Sequence, residues 1–156
     1  MNRQNSAVLI AACALIGFAT AMPSVGLAVQ QTAPGNINVP AGPVALGSVD
    51  LPRRVMADGQ ALAAGTYDVR VTEDSANPAA PGQLPVLERW AEFLQNDVVR
   101  GREVVSIVPQ SEIQSVAKSA PPSPGAARVE MLREDEYLRV WVNQSNTHYF
   151  IHLVAG

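Results

Sequence analysis

The chain has 156 residues, 11 Lys or Arg against 14 Asp or Glu, a formal net charge of −3 and 47% hydrophobic residues. The basic residues are scattered, so there is neither a positive face to neutralise nucleic-acid phosphates nor a cluster to bind an anionic membrane. The single cysteine, Cys13, excludes an intramolecular disulfide and any site built from several thiolates.

Residues 1–28 have the anatomy of a secretory signal peptide. A short polar head carries Arg3, residues 7–19 (AVLIAACALIGFA) are apolar without a break, and Gly26-Leu27-Ala28 offers small residues around a cut. A single helical span needs about 20 apolar residues, so the run is read as a leader and no integral span is expected in the mature chain. The expectation is export to the bacterial periplasm or beyond, with the mature chain starting near Val29. Ile10-Ala11-Ala12-Cys13 also fits a lipobox, and a lipoprotein anchored at Cys13 is the alternative. Because the apolar run continues past Cys13 through Leu15, Ile16 and Phe18, ordinary cleavage is preferred. Of 156 residues, 156 less 28 leaves 128, enough for one domain; with Arg3 gone, 10 basic residues face 14 acidic ones, a net −4.

Residues 29–43 (VQQTAPGNINVPAGP) show no apolar period and are read as a flexible linker, with a single β domain over 44–156. Residues 55–57 and 60–62 flank Asp58-Gly59, a pair suited to the positive φ angles of a two-residue hairpin turn. Residues 66–72 (TYDVRVT) alternate strictly, with Tyr67, Val69 and Val71 on one face of a half-buried strand. Residues 75–85 (SANPAAPGQLP) form a loop. Residues 85–96 are open to two readings. Leu87, Trp90, Ala91 and Leu94 match helical spacing, whereas residues 90–94 and 98–108 also suit a strand pair turning at Asn96-Asp97. Residues 104–108 (VVSIV) are a β-branched strand, 111–118 one or two helical turns with Ile113, Val116 and Ala117 on one side, and 119–126 (SAPPSPGA) a loop whose prolines forbid helix or inner strand.

The last third reads as a three-stranded meander over 128–133, 137–144 and 147–154, with turns at Glu134-Asp135 and Ser145-Asn146. That register aligns Val129 with Val140 and Ile151, Met131 with Leu138 and Leu153, and Val142 with Tyr149, making one face wholly apolar. A one-residue slip would scatter these side chains to both faces. The opposite face then carries Glu130, Arg139 and His152 in one row, Arg128, Trp141 and Phe150 in the next, and Asn143 opposite His148. Two readings follow: a face laced by cross-strand pairs or covered by residues 111–118, or a ligand platform formed by Trp141, Arg139, Phe150, His152 and Arg128.

No catalytic or cofactor motif is recognised, and neither cofactor nor metal is expected. His148 and His152 lie four residues apart on a strand, roughly 13 Å at the usual rise, too far for one ion. Glu134-Asp135-Glu136 lacks calcium-loop spacing, and no serine occupies G-x-S-x-G.

Leu62-Ala63-Ala64-Gly65-Thr66-Tyr67-Asp68-Val69, in the pattern L-x-A-G-T-Y-x-V, resembles a strand opening of exported bacterial β-sandwich domains of the carboxypeptidase-regulatory or transthyretin-like kind. The resemblance covers eight residues. It implies a binding or spacer module and carries over no site residue. The sequence therefore leads to a mainly β protein, an antiparallel sandwich or open barrel with one or two short helices. Its expected role is that of an exported, non-catalytic binding or interaction module in the cell envelope, taking an envelope protein, saccharide or peptide. A small exported hydrolase with a loop-assembled site and a structural subunit of an envelope assembly are the alternatives.

Overall fold

The computed structural model describes residues 39–76 and 87–156. The expected signal peptide, the lipobox around Cys13, residues 29–38 of the linker and residues 77–85 of the first long loop lie outside the described residues. The described residues form nine antiparallel strands: β1 (Val44–Leu51), β2 (Val55–Ala57), β3 (Gln60–Leu62), β4 (Gly65–Ser75), β5 (Glu88–Gln95), β6 (Val98–Pro109), β7 (Ala127–Leu132), β8 (Tyr137–Gln144) and β9 (Thr147–Ala155). A 3-10 turn at Gln110–Glu112 leads into the four-residue helix α1 (Ile113–Val116). The fold is mainly β, as the alternation patterns require.

Hydrogen bonding runs β1-β4-β5-β6-β9-β8-β7, and the β2–β3 hairpin joins through β2 to the C-terminal end of β9. The sheet curls until β1 comes near β7 and β8. No β1–β7 pairing closes it, so the architecture is an open barrel. One continuous core fills the inside, drawing Leu46, Val49 and Leu51 from β1, Tyr67, Val69 and Val71 from β4, Ala91 and Phe93 from β5, and Val140 and Ile151 from the meander.

The turns follow the residues that tolerate positive φ. Asp58 and Gly59, Asn96 and Asp97, and Ser145 and Asn146 all have φ between 43° and 76°, which a two-residue turn between twisted strands demands. Asn96-Asp97 resolves the open segment in favour of a strand: β5 pairs with β6 from Glu88↔Ser106 to Gln95↔Val98. Helical spacing misled there because an inward arginine and a bulge disguise the alternation. Arg89 is buried and donates to the Gly42 carbonyl at 3.3 Å, and the register shift between Phe93 and Leu94 turns two consecutive side chains inward. The same physics hides β1, which the sequence reading left unassigned. Gly47, at φ +83°, sits at a register shift that changes the phase between Leu46 and Val49. Val39, at the end of the expected linker, packs against the core.

The meander register is that read from the sequence. Val129↔Val140↔Ile151, Met131↔Leu138↔Leu153 and Val142↔Tyr149 all pair, with Val140 and Ile151 fully buried. The meander of β7, β8 and β9 therefore turns one apolar face to the core and presents the other as an outer face.

Candidate functional site

Four rows cross the outer face of β7, β8 and β9. In order they are Asn143 with His148; Arg128, Trp141 and Phe150; Glu130, Arg139 and His152; and Leu132, Tyr137 and Val154. The first two rows are covered and the last two face solvent. That division agrees with the reading in which residues 111–118 cover the face over Trp141 and Phe150, and it overturns the alternative of a continuous exposed platform. Trp141 is 0% and Phe150 3% exposed, because residues 110–118 fold over them and pack Ile113 and Ala117 against the two rings, beside Val108 of β6. Of the three residues expected to face inward from this segment, Ile113 and Ala117 do and Val116 is 54% exposed. The helix ends at Val116 and Ala117 takes an extended conformation, so the helical spacing does not carry through to Ala117.

The cover is fastened by polar bonds. Trp141 donates its indole N–H to Nδ1 of His148 at 3.1 Å. An indole nitrogen only donates, so Nδ1 accepts and the proton of the neutral imidazole sits on Nε2. Nε2 lies 2.7 Å from Oε1 of Gln110, to which it donates. Burial pushes the His148 pKa below its ordinary 6.5. Beyond the helix, the buried Asn143 holds the proline-rich loop through Nδ2 to the Pro122 carbonyl, while its backbone bonds Gly125 and Ala126. Burying Ile113 stabilises the cover by about 1.5–3 kcal/mol, so it is a modest lid rather than part of the main core.

Arg128 and Arg139 lie against Trp141, with guanidinium carbons 4.8 and 5.3 Å from the ring centroid. Glu130 accepts from Nε and Nη2 of Arg139 at 2.9 and 2.5 Å and lies 3.7 Å from Nη2 of Arg128. Both cations are thereby partly neutralised, and Trp141 is held from its sides as well as above.

The exposed rows end in an open basin of about 340 Å³ lined by Leu132, Arg133, Tyr137 and His152. Arg133 stands over the Tyr137 ring at 5.7 Å, and His152 stacks on Phe150 with ring planes 10° apart. Burial lowers the His152 pKa and Arg139 lowers it further, against smaller opposing effects of Glu103 and Glu130. The imidazole is thus mainly neutral at pH 7, able to donate and accept. Of the five residues expected in a site, the structure places His152 in the basin and Arg139 beside it in the third row. It places Trp141 and Phe150 beneath the lid, with Arg128 at the lid's edge bonding Ser119 Oγ at 3.1 Å. Arg133, Tyr137 and Leu132 were missed. Tyr137 and Leu132 fall in one cross-strand row of the sequence register, a signal that was available, whereas Arg133 lies in the turn.

Another serine pattern overlooked in the sequence, Ser115-Val116-Ala117-Lys118, has the S-x-x-K spacing. It does not assemble a catalytic pair by helical spacing, because the helix stops before Ala117, and Ser115 Oγ donates to the Glu112 carbonyl at 2.7 Å. Among the described residues, no three His, Cys, Asp or Glu side chains are grouped to hold a metal ion, and no helix is long and apolar enough to cross a membrane. Comparison of the chain with models of known families, with curated proteins and with solved structures gave no match.

Proposed function

We propose that the protein is an exported, non-catalytic binding module of the bacterial cell envelope, and that the exposed half of the meander face is its binding surface. The observation that carries this reading is the basin. Tyr137 and Arg133 offer a ring with a cation above it, His152 supplies a neutral hydrogen-bonding group, and Leu132 supplies apolar contact. An aromatic face beside planar donors suits a saccharide ring or a short peptide. Export rests on the leader at residues 1–28, with N-terminal sequencing of the secreted chain expected to begin near Val29.

The test compares the parent with Tyr137→Ala and His152→Ala on oligosaccharide and peptide arrays. Both side chains lie on the outer face, so melting temperatures should stay close to the parent's while retention of the bound probe falls. Equal retention by parent and variants would move the binding surface elsewhere.

A further inference from the structure

The aromatic pair beneath the lid is closed off by a bond arrangement that a single proton cannot coexist with. We infer that His148 is a proton-operated latch, and that its protonation releases residues 110–118 and uncovers Trp141 and Phe150. This goes beyond the binding role of the neighbouring basin and does not depend on it.

The geometry is specific. In the closed state Nδ1 of His148 accepts from the Trp141 indole and Nε2 donates to Gln110, the first residue of the lid. An imidazolium carries a proton on both nitrogens, so Nδ1–H would face the indole N–H, two donors at 3.1 Å with no acceptor between them. His148 is fully buried, and a charge there is costly without a partner. None is supplied among the described residues. On β8 and β7 the charged groups are Arg139 and Arg128, both cationic and both packed against Trp141, with Glu130 already engaged by Arg139. On β9 the other titratable groups are Tyr149, on the inner face, and exposed His152, and from the lid Glu112 and Lys118 point into solvent. The paired stretch of β6, Val105 to Pro109, brings no ionisable side chain. Water is the only ready relief, and opening the lid admits it.

Two further features make the lid the part that yields. It contributes only Ile113 and Ala117 to the buried cluster, whereas Trp141 and Phe150 belong to paired strands of the sheet. Nε of Arg128, whose guanidinium lies against Trp141, is also buried without a hydrogen-bond partner among the described residues, a cost that hydration would remove. Asn143 holds the loop beyond it through Pro122, Gly125 and Ala126, so the opening would be confined between Gln110 and that anchor.

The experiment measures acrylamide quenching of Trp141 in the full chain carrying Trp90→Phe, which removes the other tryptophan, while far-UV circular dichroism follows the sheet. The quenching constant should be low and constant above pH 6.5 and rise several-fold below it, with the dichroism unchanged. His148→Gln, which accepts the indole bond but does not titrate, should abolish the rise. Gln110→Glu, a change at an exposed residue, should weaken the rise or move it to lower pH, because a carboxylate beside Nε2 gives the closed imidazolium the partner it otherwise lacks. His152→Gln should leave the midpoint where it was. A flat quenching constant down to about pH 4.5, where carboxylates begin to titrate, would overturn the inference. So would a parallel loss of dichroism, or a midpoint that follows His152.

Discussion

Trp141→Ala separates a structural tryptophan from a ligand platform most sharply, and its cost can be worked from the surroundings of the ring. Trp141 is fully buried, 4.8 Å from Phe150 between centroids, and capped by Ile113 and Ala117. Truncating such a ring costs about 3–5 kcal/mol, less where neighbours collapse into the space. The lid can settle inward, which favours the lower half of that range, but the change also strips Nδ1 of His148 of its donor, about 1 kcal/mol or more. A net loss of about 4 kcal/mol is a large part of the roughly 5–15 kcal/mol that holds a domain together. At about 3–5 °C per kcal/mol for a domain of this size, the melting temperature should fall by roughly 12–20 °C. Thermal melts at pH 7.5 read this directly, and urea titration at the same pH should show an earlier midpoint with an unchanged slope. A fall of less than about 4 °C, equivalent to roughly 1 kcal/mol, would refute the burial of Trp141 and restore the exposed-platform reading.

Val140→Asp should largely unfold the domain, since an unpaired carboxylate at a fully buried position of the central apolar row costs several kcal/mol; a parent-like melt would show the register to be wrong. Gly47→Ala has free space for its methyl group but must adopt φ +83°, so a loss of about 1–2 kcal/mol by urea titration is expected from backbone strain alone. Stability should also depend on pH through His148, whose folded pKa lies below the unfolded value of 6.5. The unfolded chain then takes up the proton first, so the contribution is complete above pH 6.5 and declines as the pH falls towards the folded pKa. His152 acts in the same direction. His148→Gln should flatten part of that slope in urea titrations between pH 7.5 and 5.

Most of the sheet was legible where alternation was unbroken and turns carried residues tolerant of positive φ. The meander is the clearest case: two hairpins independently put Val140 between Val129 and Ile151, because any slip would expose the whole apolar set. Legibility failed where a single residue broke the period. Gly47 shifts the phase of β1, and Arg89 puts a guanidinium on the inward face of β5, leaving Leu87, Trp90, Ala91 and Leu94 to imitate a helix. The site was half legible for another reason. Alternation assigns Trp141 to the outer face but carries no information on what lies above that face. Burial of Trp141 depends on Ile113 and Ala117, brought over it by a segment of another connection, and so is a tertiary fact. The same register held Tyr137 and Leu132 in one row, yet a basin appears only when the turn swings Arg133 beside them.

The most direct test of the proposed binding surface is to map amide chemical-shift changes as the oligosaccharide or peptide retained on the arrays is titrated into the labelled protein. Binding in the basin requires saturable shifts centred on Leu132, Arg133, Tyr137 and His152, with the β5–β6 hairpin turn at Asn96 and Asp97 unmoved. Shifts centred on that hairpin or on β1, with the basin silent, would contradict it.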